Sequence, residues 1–131
     1  MKLSSKTHYG LMACHILANN YNVQPVSASE LEAKISVSGK YLEKIMRMLS
    51  ARGIVSANRG ASGGYTLAKP AEEIKMGKVV RALEEDNMEI IGCVNKPGCC
   101  CPSSALWKKL FDGINAILDD VSLKDIVEGN L

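Results

Sequence analysis

The stretch from Lys40 to Leu67 limits the fold more than any other part of this chain. Leu42, Ile45, Met46 and Leu49 recur at helical spacing and predict an amphipathic helix from about Lys40 to Ala51. Arg52-Gly53 closes it, because glycine accepts the left-handed conformation that ends many helices. Ile54-Val-Ser-Ala57 and Tyr65-Thr-Leu-Ala68 then mix apolar and polar residues as half-buried strands do. Between them, Asn58-Arg-Gly-Ala-Ser-Gly-Gly64 makes a glycine-rich tip with a basic residue at its base. A helix that runs directly into a glycine-tipped hairpin leaves few architectures open.

The upstream residues narrow the choice. Tyr9, Met12, Ala13, Ile16 and Leu17 predict a helix from Lys6 to Asn19, broken by Asn19-Asn-Tyr-Asn22 and Pro25. Ser27 or Ser29 caps a second, short helix whose apolar side is Leu31 and Ile35, with Glu30 and Glu32 at its positive end. Ser36-Val-Ser-Gly39 is a tight turn into the Lys40–Ala51 helix. Helix, turn, helix, hairpin is the order of a winged helix. The wing glycines let backbone approach a phosphate closely, and Arg59 is suited to a minor groove.

Beyond Pro70, Met76, Val79, Val80 and Leu83 predict a helix over Ile74 to Glu85. Ser103 or Ser104 then caps a long helix to about Asp120. Its stripe is Trp107, Leu110, Phe111, Ile114, Ile117, Leu118 and Val121, too wide for a lone surface helix. A second copy of the chain covering part of that stripe removes the exposed apolar surface. Ser122 begins a last short helix. The expected fold class is therefore mainly α with a small β-hairpin wing: a winged helix-turn-helix plus a long C-terminal dimerisation helix. The expected divisions are 1–85 for DNA binding, 86–103 for a cysteine-rich loop, and 104–131 for the dimerisation helix and C-terminal tail.

Charge divides the same way. Residues 1–70 hold nine Lys or Arg against three Glu, whereas residues 71–131 hold seven basic and eleven acidic groups. A basic front half favours a polyanionic partner. No window has the length of a transmembrane helix, and the N-terminal residues lack the apolar stretch of a signal peptide, so a soluble, cytoplasmic protein with no membrane partner is expected.

Four of the five cysteines crowd into nine residues, Cys93-Val-Asn-Lys-Pro-Gly-Cys99-Cys100-Cys101. Neighbouring cysteines do not readily pair with each other, because a disulfide needs separated Cα atoms and suitably directed side chains. In a reducing compartment such a run points to a soft-metal or iron–sulfur site rather than to a disulfide framework.

Taken together, several motifs resemble the IscR/NsrR/CymR family of winged-helix transcriptional regulators. They are Met1-Lys-Leu-Ser-Ser-Lys6, Tyr9-Gly-Leu11, Val37-Ser-Gly-Lys-Tyr-Leu-Glu-Lys-Ile45, Arg59-Gly60 with Gly63-Gly-Tyr65, Val79-Val-Arg-Ala-Leu-Glu84, Ala105-Leu-Trp107 and Leu118-Asp-Asp-Val-Ser-Leu-Lys-Asp125. The resemblance implies a homodimer on double-stranded operator DNA, with the Tyr-Leu-Glu helix in the major groove and the Arg-Gly wing in the minor groove. Carried over, it makes Ser38, Lys40, Tyr41, Glu43, Lys44, Arg47, Arg59 and Gly60 the candidate DNA contacts. Glu43 is the unusual member, since a carboxylate repels phosphate but accepts a hydrogen bond from a cytosine amino group.

The resemblance also implies an iron–sulfur cluster, of the 2Fe-2S or 4Fe-4S type, whose gain, loss or damage switches operator affinity. The family's C-x5-C-x5-C pattern is matched by Cys93 and Cys99, but its second interval is compressed here. Cys93, Cys99 and Cys101 are the expected ligands, with Cys100 the rival of the latter two. Ser104 stands where one branch of the family has a histidine ligand, and a hydroxyl is a poor substitute. His8 stands where another branch supplies a ligand from the partner subunit, so it is the candidate fourth ligand. Cys14 and His15 are read as packing residues.

The alternatives keep the fold and change the signal: zinc bound by the same thiols, bare thiol chemistry, or control by a protein partner. Catalysis is not expected. No nucleophile–base arrangement or paired carboxylates are present, and Gly60-x-x-Gly63-Gly64 lacks the ending of a phosphate loop, so no small-molecule substrate is implied.

Overall fold

Helix caps set the beginning of the chain. The structure is a computed structural model that describes residues 2–91, 98 and 101–131. In chain order its elements are α1 (Ser5–Asn19), α2 (Ala28–Ile35), α3 (Gly39–Ala51), β1 (Val55–Asn58), β2 (Gly64–Leu67), α4 (Met76–Leu83), α5 (Ser104–Asp120) and α6 (Leu123–Glu128), with a 3-10 turn at Ala71–Glu73. Ser27 Oγ accepts from the Glu30 amide and Ser38 Oγ from the Tyr41 amide, each at 3.2 Å, so α2 and α3 both start on serine caps. Ser36, at φ 63°, ends α2 in the left-handed region and turns the chain toward α3.

The wing is an antiparallel hairpin registered from Val55 opposite Leu67 to Asn58 opposite Gly64. It does not stand free. Val26 and Tyr65 exchange both backbone hydrogen bonds, at 3.0 and 2.8 Å, which stitches β2 to the segment entering α2. Gly64 permits the stitch: a Cβ there would collide with the Val26 carbonyl. Ala13 and Leu17 from α1, Leu31 and Ile35 from α2, and Leu42, Ile45, Met46 and Leu49 from α3 form the core with Ile54, Val55 and Leu67. This is the mainly helical fold with a hairpin wing that the sequence pattern leads one to expect.

Two local expectations need correction. The fourth helix begins at Met76 and ends at Leu83, rather than running from Ile74 to Glu85. Ile74 and Lys75 are extended instead, because the Leu123 amide donates to the Ile74 carbonyl and the Met76 amide to the Val121 carbonyl, both at 2.8 Å. A partner nearly fifty residues away thus claims the backbone that would have made the first turn. Ser103 occupies the position before α5, but its hydroxyl makes no capping bond.

The chain after α5 returns to the core. Ser122 and Asp125 form a reciprocal capping box, at 3.1 and 2.9 Å, and start α6. Leu123 is fully buried, and α6 packs on α1. Helix α5 behaves differently: none of its 17 residues is buried, and Leu106, Leu110 and Ile117 are 52, 43 and 67 % exposed. It is fastened to α4 by Arg81, whose guanidinium donates to Asp119 at 2.6 Å and to Asn115 at 2.8 Å. Gly77 leaves room for that pair, since a Cβ there would meet both Asp119 and Arg81. Among the described residues no helix is long and apolar enough to cross a membrane.

Candidate nucleic-acid interface and cysteine site

Burial of one face of α3 dictates what the other face offers. With Leu42, Ile45, Met46 and Leu49 inward, Lys40, Glu43, Lys44 and Arg47 are all exposed along one side. Arg59, at the end of β1, is exposed as well. An open groove of about 520 Å³ separates α3 from the wing, and Glu43, Arg47 and Arg59 all line it. Three of the residues singled out in the sequence therefore border one groove. Glu43 and Arg47 stand 3.9 Å apart and are both about 70 % exposed, a loose pair that leaves the guanidinium available.

Ser38 and Tyr41 have structural duties besides. Ser38 holds the α3 cap, and Tyr41 is half-buried, its hydroxyl 3.3 Å from Ser5 Oγ and its ring edge-on to Tyr9 at 6.0 Å. The wing glycines also separate. A Cβ on Gly63 would lie 2.6 Å from the Asn58 carbonyl and 2.8 Å from that of Gly60, so this glycine, like Gly64, answers to the chain's own backbone. Gly60, at φ 109°, has open space where its side chain would be. It is the tip position at which a backbone can approach an external surface.

Behind α3, a polar hub escapes any reading of local pattern. Glu84, just after α4, accepts three hydrogen bonds on one oxygen: from the Ser4 amide at 2.7 Å, Ser4 Oγ at 2.9 Å and Thr7 Oγ1 at 2.6 Å. Partial burial pushes its carboxyl up, but the bonds from Thr7 and Ser4, with Lys6 nearby, outweigh that and hold it below the usual carboxylate range. The carboxylate also sits at the N-terminal end of α1, where the helix dipole favours negative charge. These partners lie 77 and 80 positions apart, and no spacing in the sequence announces them.

The cysteine site is described at one position. Cys101 is half-buried immediately before α5, and its carbonyl accepts from the Ser104 amide at 3.0 Å. Cys93, Cys99 and Cys100 lie outside the described residues. His8 is exposed on α1 with its ring 5.3 Å from that of Tyr9. Among the described residues, no three His, Cys, Asp or Glu converge as a metal site. Cys14 is fully buried, and burial pushes its thiol up to about 12, which keeps it protonated and unreactive, as a packing residue should be. His15 is half-buried on the same helix.

Comparison with known proteins resolves the family. Residues 3–129 match Rrf2, described as an iron-dependent transcriptional regulator. The chain belongs to the Rrf2 family. It is 34 % identical over 131 residues to the HTH-type transcriptional regulator IscR of Escherichia coli O1:K1 / APEC, covering 97 % of this chain and 80 % of that one. Among solved structures it is similar to CymR, the global cysteine regulator of B. subtilis, with a TM-score of 0.82 and 29 % identity over 98 % of this chain and 97 % of that one. It is also similar to IscR of T. potens, with a TM-score of 0.80 and 30 % identity over 100 % and 89 %. The oxidised form of Staphylococcus aureus CymR gives 0.79 and 33 % over 98 % and 97 %. This Rrf2 member is thus a winged-helix, DNA-binding transcriptional regulator and not an enzyme.

Proposed function

We propose that this regulator works as a cytoplasmic homodimer whose affinity for operator DNA is set by an iron–sulfur cluster on the cysteine loop. The observation that carries the reading is the run of four cysteines placed where the chain passes from α4 to α5, between the DNA-binding body and a helix with an uncovered apolar stripe. Lys40, Lys44, Arg47 and Arg59 supply positive charge to the phosphate backbone, Gly60 brings the wing tip close to it, and Ser38 and Tyr41 fix the start of α3. Glu43, in the same groove, discriminates among bases by accepting from cytosine. The α5 stripe takes the second subunit, and Trp107, half-buried beside Ile90 and Phe111, anchors that contact.

Four thiols in one run are a donor set suited to iron–sulfur ligation. Cys93, Cys99 and Cys101 would hold the cluster, Cys100 competing with the last two, and the partner subunit's His8 would complete it. When bound, such a group supplies a reversible thiolate–iron link that oxidants, nitric oxide or iron shortage can break. The chain's own part is to transmit the loop's condition: α4 and α5 flank the loop and are tied to each other through Arg81, Asn115 and Asp119. The likeness to CymR, whose structure is known in an oxidised form, supports a second reading in which the same thiols, bare or holding zinc, do the sensing.

An ultraviolet–visible spectrum of protein purified without oxygen, with iron and sulfide assayed on the same sample, separates the two. Absorption near ~400 nm with matching iron and sulfide is the expected result. A colourless protein that stays iron-free after reconstitution would transfer the sensing role to zinc or thiol oxidation and leave the DNA-binding assignment in place. Loss of the absorption in His8→Ala would support the fourth-ligand role, and an unchanged spectrum would remove it.

A further inference from the structure

The link between α4 and the cysteine loop is built in an unusual way. Helix α4 ends in a Schellman arrangement, the Asp86 amide donating to the Arg81 carbonyl at 2.9 Å and the Glu85 amide to that of Ala82 at 3.4 Å. Glycine normally takes the left-handed position in this motif. Here Glu85 takes it at φ 56°, and Asp86 follows at φ 62°, two successive residues in a region that a Cβ disfavours. Such a conformation persists where its surroundings over-determine it.

Side chains from two other helices provide that restraint. Glu84 is held by Ser4 and Thr7, and Glu85 lies 3.8 Å from Lys6. Asp86 receives both arms of the Arg52 guanidinium, Nη2 at 2.6 Å and Nη1 at 3.4 Å. Arg52 is the residue that terminates α3, its own amide donating to the Leu49 carbonyl at 3.3 Å and the next amide, that of Gly53, to the Ser50 carbonyl at 3.0 Å. The hydrogen bond and charge of Arg52, with Arg81 adding to them, hold the Asp86 carboxyl below the usual range, so the pair stays charged at neutral pH. Both side chains are substantially exposed, and an exposed ion pair adds little to stability. Its distinctive feature is what it joins: the end of the DNA-reading helix and the first residues leading to the cysteine loop.

We infer that Arg52 and Asp86 are positioning residues, a clamp that sets α3 relative to the base of the cysteine loop and carries the loop's condition to the DNA. The second half of this inference rests on the loop-switch reading above; the first half does not. Release of Asp86 lets residues 85 and 86 return to ordinary backbone angles, which redirects the chain entering the loop and frees the end of α3. A change imposed from the loop side acts through the same contact in reverse.

The test is a double-mutant cycle on the full-length protein: Arg52→Gln, Asp86→Asn, the double Arg52→Gln/Asp86→Asn, and separately the charge swap Arg52→Asp/Asp86→Arg. The probe is a duplex enriched from random sequence by the unaltered protein, measured at several salt concentrations. A clamp predicts that both single variants weaken binding by about fivefold or more, non-additively, with the salt slope unchanged and the swap restoring affinity. If Arg52 instead touches phosphate, Arg52→Gln lowers the salt slope by about one, Asp86→Asn fails to weaken binding, and the clamp is refuted. A second arm compares protein with its native loop ligand against protein stripped by chelator and thiol reductant. Asp86→Asn should bring the ratio of the two affinities about fivefold closer to one, without changing the absorption spectrum or the unfolding midpoint. An unaltered ratio overturns the coupling role. A ratio of one in the unaltered protein refutes the loop switch itself and leaves the clamp to be judged on the cycle alone.

Discussion

Helix α3 buries Leu42, Ile45, Met46 and Leu49 against α1, α2 and the hairpin, whereas α5, although four residues longer, buries none of its residues. Both helices read as amphipathic. Periodicity states that a face needs covering; it does not state what covers it. For α3 the cover is in the same chain, and the opposite face is left free to carry Lys40, Lys44 and Arg47. For α5 the side bearing Asn115, Leu118 and Asp119 is held by Arg81 and the core, while Leu106, Leu110 and Ile117 stay exposed.

Substitutions should separate these two kinds of face. Leu49→Ala, in the sealed stripe, is expected to cost about 2–5 kcal/mol of unfolding free energy, seen as a lowered denaturation midpoint with an unchanged m-value. Glu84→Gln, behind that stripe, should cost about 1 kcal/mol at neutral pH. Because the folded carboxyl titrates below its unfolded range, its contribution is full only above about pH 5 and is lost progressively as pH falls through the unfolded range and then the depressed folded value. The variant's acid limb should be shallower than the parent's, although Asp86 and Asp125 share the same sign and keep it from vanishing.

Ile117→Glu, on the open stripe, should change the free energy of unfolding of the isolated subunit by no more than about 0.5 kcal/mol. If α5 joins the proposed dimer, sedimentation velocity should nevertheless show that dimer lost, and unaltered sedimentation would remove α5 as the interface. The smallest effect is expected on the exposed side of α3. A double-mutant cycle between Glu43 and Arg47 in the free protein should give a coupling of about 0.3–0.5 kcal/mol, diminishing with salt.

The first part of the fold was legible because its signals are local. Serine caps, the apolar spacing of α1 to α3 and the glycines of the wing each act within a few residues. The start of α4 departs from its local pattern for the opposite reason: Ile74 and Lys75 fit a helical stripe, but the Val121–Leu123 segment captures their backbone. Side-chain pairs across long separations were equally silent. Thr7 reads as an ordinary helix residue until Glu84 is seen beside it, and Arg52 as a plain helix end until Asp86 is. At the candidate DNA face, exposed cations on α3 follow from which residues must be buried. The separate duties of Gly60, Gly63 and Gly64 do not, because identical residues serve an open tip, a tight turn and a strand crossing.

The exchange of hydrogen bonds between Val26 and Tyr65 makes one rigid, two-pronged tool of the helix pair and the wing. The distance between the prongs is set by backbone, not by flexible side chains, so a single subunit has no adjustable gauge. Each half-site must fit it as found. In the proposed dimer, what a signal reaching the base of α3 would chiefly alter is how two such tools stand to each other, and the quantity the DNA would present in reply is the number of base pairs between half-sites. A regulator made this way would retune its targets by spacing before it retuned them by letter.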